Sequence, residues 1–117
     1  RHSIWALALH VAYWNYAVRR RITGEPRGAF PRKPSNFPSV ASQVTKAAWA
    51  EDRRLVKEQH HLLVETLQSF DPSRLDEYAG DDSNTSYADL ITGIVLHDTY
   101  HAGQIVMLKR IAASKGV

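Results

Sequence analysis

The sequence predicts an all-α protein built as an up-and-down helical bundle. Apolar residues recur at steps of three and four along three long stretches. Prolines, glycines and short polar residues separate those stretches, and no segment alternates apolar and polar residues as a half-buried strand does. The 117 residues suit one domain, 1–117, with a modest core.

The first helix is expected over residues 3–22. Ile4, Leu7, Ala8, Val11, Trp14, Ala17 and Val18 keep helical spacing, and His10 points the same way as Leu7 and Trp14. Ser3 is placed to cap it and Gly24 to stop it. Residues 23–41 hold four of the five prolines and form a long connection, with Phe30 and Phe37 available to pin it to the bundle. A connection of that length in a small domain often serves function. A second helix is expected over 42–70, where Trp49, Val56, Leu63 and Phe70 stand seven apart. Ser42 or Thr45 caps its start and Asp71-Pro72 closes it. Residues 71–85 form a second connection, rich in Asp, Ser and Asn, with a short helical turn at 73–78. The third helix is expected over 86–114, opened by Ser86 with Asp89 and favoured at its end by Lys109, Arg110 and Lys115.

The apolar stripes are wide. Trp5, Leu9 and Tyr16 on the first helix, and Ile91, Val95 and Ile105 on the last, extend beyond one seam. A further helix or a second copy of the chain is therefore expected against them, and a homodimer is the expected assembly.

Composition narrows the chemistry. There is no Cys, which removes zinc-thiolate sites, disulfides and cysteine nucleophiles and fits a reducing cytosol, so a cytoplasmic location is expected. No apolar run approaches the length of a membrane span. The net charge is +3, and its excess sits in Arg19, Arg20, Arg21, Arg27, Arg32 and Lys33, read as a solvated helix end and loop. No nucleic-acid motif accompanies these cations, and no nucleic-acid partner is expected.

The sharpest signal is His97-Asp98-Thr99-Tyr100-His101. Leu90, Ile94, His97, His101, Gln104, Leu108 and Ile111 follow the steps of one buried seam, so three polar groups interrupt an apolar face. Buried polar groups need partners, and two imidazoles at i and i+4 suit one divalent cation. His10, inward on another helix, is a third candidate. Three protein ligands with open positions describe a catalytic metal site rather than a closed structural one. A zincin reads His-Glu-x-x-His; here Asp98 replaces the Glu, which argues against a protease. Gln104, Asp98 and Tyr100 are placed to support the imidazoles, or else to face solvent or a partner. His60 and His61 are read as surface residues, His2 as a frayed end, Gly103 as a site of close helix approach, and Trp5, Trp14 and Trp49 as core fillers.

Leu9-His10-Val11-Ala12-Tyr13-Trp14, followed by His97-Asp98-Thr99-Tyr100-His101-Ala102-Gly103-Gln104-Ile105, resembles the DinB-like (DinB/YfiT) superfamily. The Pro-rich connection and the Asp71-Pro72 turn fit its layout. The resemblance implies a four-helix bundle whose first helix has no counterpart in these residues. It implies a divalent metal held by His10, His97 and His101, with zinc, nickel and iron all suited to imidazole. It also implies a metal-dependent enzyme acting on a small molecule: a transferase using a low-molecular-weight thiol against small electrophiles, or a hydrolase. The alternative expectation is a non-catalytic dimeric bundle with a structural or vestigial metal site.

Overall fold

The computed structural model of the chain describes residues 2–80 and 84–115. Arg1, the 81–83 part of the second connection and the last two residues lie outside the described residues. The described chain is all-helical: α1 (Ile4–Thr23), α2 (Lys46–Gln68), a 3-10 turn at Pro72–Arg74, and α3 (Tyr87–Ser114). Its only β feature among the described residues is an isolated bridge between Tyr78 and Ser86. No helix among them is long and apolar enough to cross a membrane.

Each long helix opens on a side-chain hydroxyl. Ser3 Oγ accepts from the Ala6 N–H, Thr45 Oγ1 from the Ala48 N–H, and Ser86 Oγ from the Asp89 N–H, each at 3.1 Å. Gly24 ends α1 with φ 81°, its N–H returning to the Arg20 carbonyl. The second helix is shorter than the sequence suggests. Thr45 is extended (φ −122°) and takes the cap, so residues 42–44 join the connection. At the other end Ser69 caps α2, and Phe70 turns onto Tyr87, ring centroids 5.2 Å apart.

α1 is the central helix, and both α2 and α3 pack on it. Trp5 meets Trp49 near the start of both helices, and Val18 shares a cluster with Leu63 further along both. α1 and α2 therefore run in the same direction. The same cluster joins Val18 to Leu90 and Ile94, while His10 meets His97 and His101, so α3 runs opposite to α1. The simple alternation of directions expected for the first two helices is thus replaced by a crossover. Residues 24–45 must carry the chain back along the bundle, which is why this connection is long.

One buried carboxylate fastens that connection. Asp52 on α2 is 4% exposed. It accepts from Trp5 Nε1 at 2.8 Å, and its other oxygen accepts from Arg32 Nε and a terminal Arg32 nitrogen at 3.1 and 2.8 Å. Both Arg32 donors close on the single oxygen Oδ1, and such charge-assisted bonds are stronger than neutral ones. Replacing Asp52 by Ala strands the indole N–H and leaves Arg32 only Glu51 and the Pro31 carbonyl, and is expected to cost about 2 kcal/mol in urea unfolding. Limited proteolysis within residues 24–45 should accelerate alongside.

Candidate metal centre

Three imidazoles meet between α1 and α3. Helical spacing puts His97 and His101 on one face of α3, and the antiparallel approach of α1 brings His10 against both. His10 Nε2 lies 3.0 Å from His97 Nε2 and 3.1 Å from His101 Nε2. One ligand atom from each of the three falls within 4.8 Å of the others. His10 is buried and the two α3 histidines are half-buried.

The opposite nitrogen of every ring is committed to an oxygen. His10 Nδ1 lies 2.7 Å from the Asn36 carbonyl oxygen. His97 Nδ1 lies 3.2 Å from Asp98 Oδ1, and His101 Nδ1 pairs with Gln104 Oε1. A carbonyl, a carboxylate and an amide oxygen accept only, so each Nδ1 must donate. A neutral ring held this way presents its lone pair at Nε2, and the three Nε2 atoms face one small volume. With all three rings neutral that arrangement repels itself, and either a cation at the centre or a proton on one Nε2 relieves it. Three nitrogens at the 2.0–2.1 Å typical of a zinc–imidazole bond would lie roughly 3.3 Å apart around a tetrahedral ion, close to the 3.0 and 3.1 Å from His10 Nε2 to the other two rings. The donor set therefore fits a divalent cation.

The surroundings disfavour the charged form of His10. Burial pushes its imidazole below the ordinary value, with the nearby His101 and His97 acting in the same direction against the hydrogen bond to Asn36. Phe37 lies flat on it, ring centroids 4.0 Å apart. Asp98 is braced from behind. Asn15 on α1 is 1% exposed, and with its amide nitrogen turned to the carboxylate it donates to Asp98 Oδ2 at 2.6 Å and Oδ1 at 3.1 Å. Burial raises Asp98 from its usual range, while the bonds from His97 and Asn15 pull the other way. Two helices thus contribute one relay, Asn15 to Asp98 to His97, that fixes a ring orientation.

A family model described as the DinB superfamily matches residues 1–105. The chain belongs to the DinB superfamily. No curated protein and no solved structure matches it.

In this DinB-superfamily chain, the three histidines singled out in the sequence are the three brought together, and Asp98 and Gln104 each meet one of them. His60 and His61 stay exposed, His61 pairing with Glu65 at 2.8 Å. Other readings change. His2 stacks on the far face of Phe37 at 3.9 Å, so Phe37 is sandwiched between two imidazoles. Trp14 packs against both core clusters and is a wall as well: it donates to Asn36 Oδ1 at 2.8 Å and lines a cavity of about 440 Å³ beside His10 and His97. Gly103 permits no close approach, since a Cβ there would meet nothing within 4 Å.

Asn15 and Asn36 were not legible as site residues. Asn15 is one polar letter among apolar ones, next to the Trp14 that shares the seam. Asn36 sits in the connection with φ 69°, a backbone state that Asn tolerates better than most residues. Replacing Asn15 by Leu removes the amide donor from Asp98 and is expected to lower stability by about 2 kcal/mol. Denaturant titration of Asn15→Leu beside Asn15→Asp, which adds a second carboxylate, checks the direction: the Asp variant should fall further.

Proposed function

We propose that His10, His97 and His101 hold one divalent cation through Nε2, and that the chain is a metal-dependent enzyme acting on a small molecule. The convergence of three lone pairs, each set by an oxygen at the other ring nitrogen, carries this reading. A bound divalent cation lowers the pKa of a thiol or water that it ligates, supplying a nucleophile at neutral pH.

What the chain itself supplies is orientation and enclosure. Asn36, Asp98 and Gln104 hold the rings. The cavity beside His10 and His97 offers Trp14, Val18, Leu90 and Ile94 as apolar walls, with Asp89 on its lining. Asp98 is engaged by Asn15 and His97, so it does not face the cavity as an unengaged base. A reaction whose nucleophile is made acidic by the ion suits that lining, whose walls are mainly apolar. Transfer of a low-molecular-weight thiol to a small electrophile is the most concrete form, favoured by the DinB-like thiol transferases that the motif resembles; hydrolysis is the other form.

A second reading has one observation behind it. Leu96 and Tyr100 are each 64% exposed on α3, and Met107 is 58% exposed. A non-catalytic bundle that pairs through this face, with the ion as a structural element, would use that surface. Water exchanging on the loaded site supports the enzyme; an ion fully ligated by protein supports the structural role.

Elemental analysis of protein purified without added metal is expected to find about one divalent ion per chain, given one three-histidine site. The triple variant His10→Ala/His97→Ala/His101→Ala should carry none, and Asp98→Ala should bind about 10–100-fold more weakly. Chelation should abolish consumption of a small thiol in the presence of an electrophile. Stoichiometric metal retained by the triple variant would remove the assignment.

A further inference from the structure

A second cavity, of about 550 Å³, lies between α1 and the crossover connection. Its composition differs from that of the histidine site. Tyr13, Trp14, Tyr16 and Phe30 supply four aromatic rings to its lining. Arg20, Arg21, Arg27, Arg32 and Lys33 supply five cationic side chains, and no carboxylate lines it among the described residues. The basic stretch that reads in sequence as a solvated helix end is therefore gathered around one concavity.

The cavity is built rather than slack. Tyr16 is 5% exposed, and its hydroxyl accepts from the Ala29 N–H at 3.0 Å, tying the connection to α1. Phe30 packs edge-on against Tyr13 with centroids 5.6 Å apart, and at 5.5 Å from Tyr16. Gly28, with φ 99°, lets the chain turn at the lining where an L side chain would be strained. Arg32 is held in place by Asp52 and Glu51. Arg27 and Lys33 are exposed and have no ion-pair or side-chain hydrogen-bond partner among the described residues. The charge that remains unneutralised is thus at the lining, above a floor of rings.

We propose that this cavity binds a small anionic molecule with a flat, apolar body, its phosphate or carboxylate held by Arg27 and Lys33 and its body against the rings. Guanidinium and ammonium groups take either acid, and aromatic faces take a flat body. A volume of about 550 Å³ matches a small ligand rather than a polymer. The proposal stands on this cavity alone. Joined to the metal reading, it names the acidic end of the substrate, because Trp14 lines both this cavity and the one carrying His10 and His97.

Calorimetric titration of the full chain at low salt tests it with three probes: phenylphosphonate, benzoate and neutral benzamide. Saturable binding is expected for at least one acid, with benzamide at least about tenfold weaker, as for lost charge-assisted bonds. The stronger of phenylphosphonate and benzoate assigns phosphate or carboxylate as the anionic group. Arg27→Ala/Lys33→Ala, both at exposed positions, should weaken the acid about tenfold while the circular dichroism spectrum stays unchanged. His97→Ala/His101→Ala should leave the affinity for the acid unaltered, although it removes metal if the triad reading holds. Three results would overturn the proposal: no saturable binding of either acid, equal binding of benzamide, or full affinity in Arg27→Ala/Lys33→Ala. Loss of binding in the histidine variant would also overturn it, by placing the anion on the triad.

Discussion

Three imidazole nitrogens share a small volume between α1 and α3, with His10 Nε2 only 3.0 and 3.1 Å from the Nε2 atoms of His97 and His101. The rest of the site follows from this constraint. His10 Nδ1 is fixed by Asn36, His97 by Asp98 and His101 by Gln104, so no neutral ring can turn its N–H inward without giving up an oxygen. The cost of that convergence falls on the seam that would otherwise be apolar, between Ile94 and Leu108. A divalent cation at this point would convert the repulsion into binding, which is the physical reason for proposing a metal site along this seam.

The crossover connection joins fold and site. Because α1 and α2 run in the same direction, residues 24–45 must traverse the bundle, and they do so past the histidines. Asp52 clamps Arg32 and Trp5 at one side of the traverse. Asn36 then gives its carbonyl to His10 and its side-chain oxygen to Trp14, while Phe37 covers the His10 ring. The same traverse curls its cations over the rings of α1. A segment that packs this much aromatic surface and serves two cavities acts as part of the bundle, despite lacking regular structure.

Much of this was legible in the sequence because it rests on local periodicity. The seam from Leu90 to Leu108, the pairing of His97 with His101, the caps Ser3 and Ser86 and the stop at Gly24 follow from the residues within one or two turns. The convergence of His10 with the α3 pair was legible as well, since each faces an apolar stripe. What periodicity does not carry is the direction of one helix relative to another, and so the crossover was not read. Nor does it carry long-range side-chain partners: Asn15 finds Asp98 across two helices, and Asn36 finds His10 from a connection. Trp14 packs on the core as its place on an apolar stripe implies, but its indole N–H partner Asn36 and its place on a cavity wall are long-range features that periodicity does not carry.

The tautomers of the three rings test the central claim most directly. Long-range proton–nitrogen correlation spectra of the zinc-loaded chain at neutral pH resolve which nitrogen of each imidazole carries hydrogen and which is ligated. The account predicts protonated Nδ1 and zinc-ligated Nε2 at His10, His97 and His101 together. A proton on Nε2 of any of the three, or zinc bound through Nδ1, would contradict it.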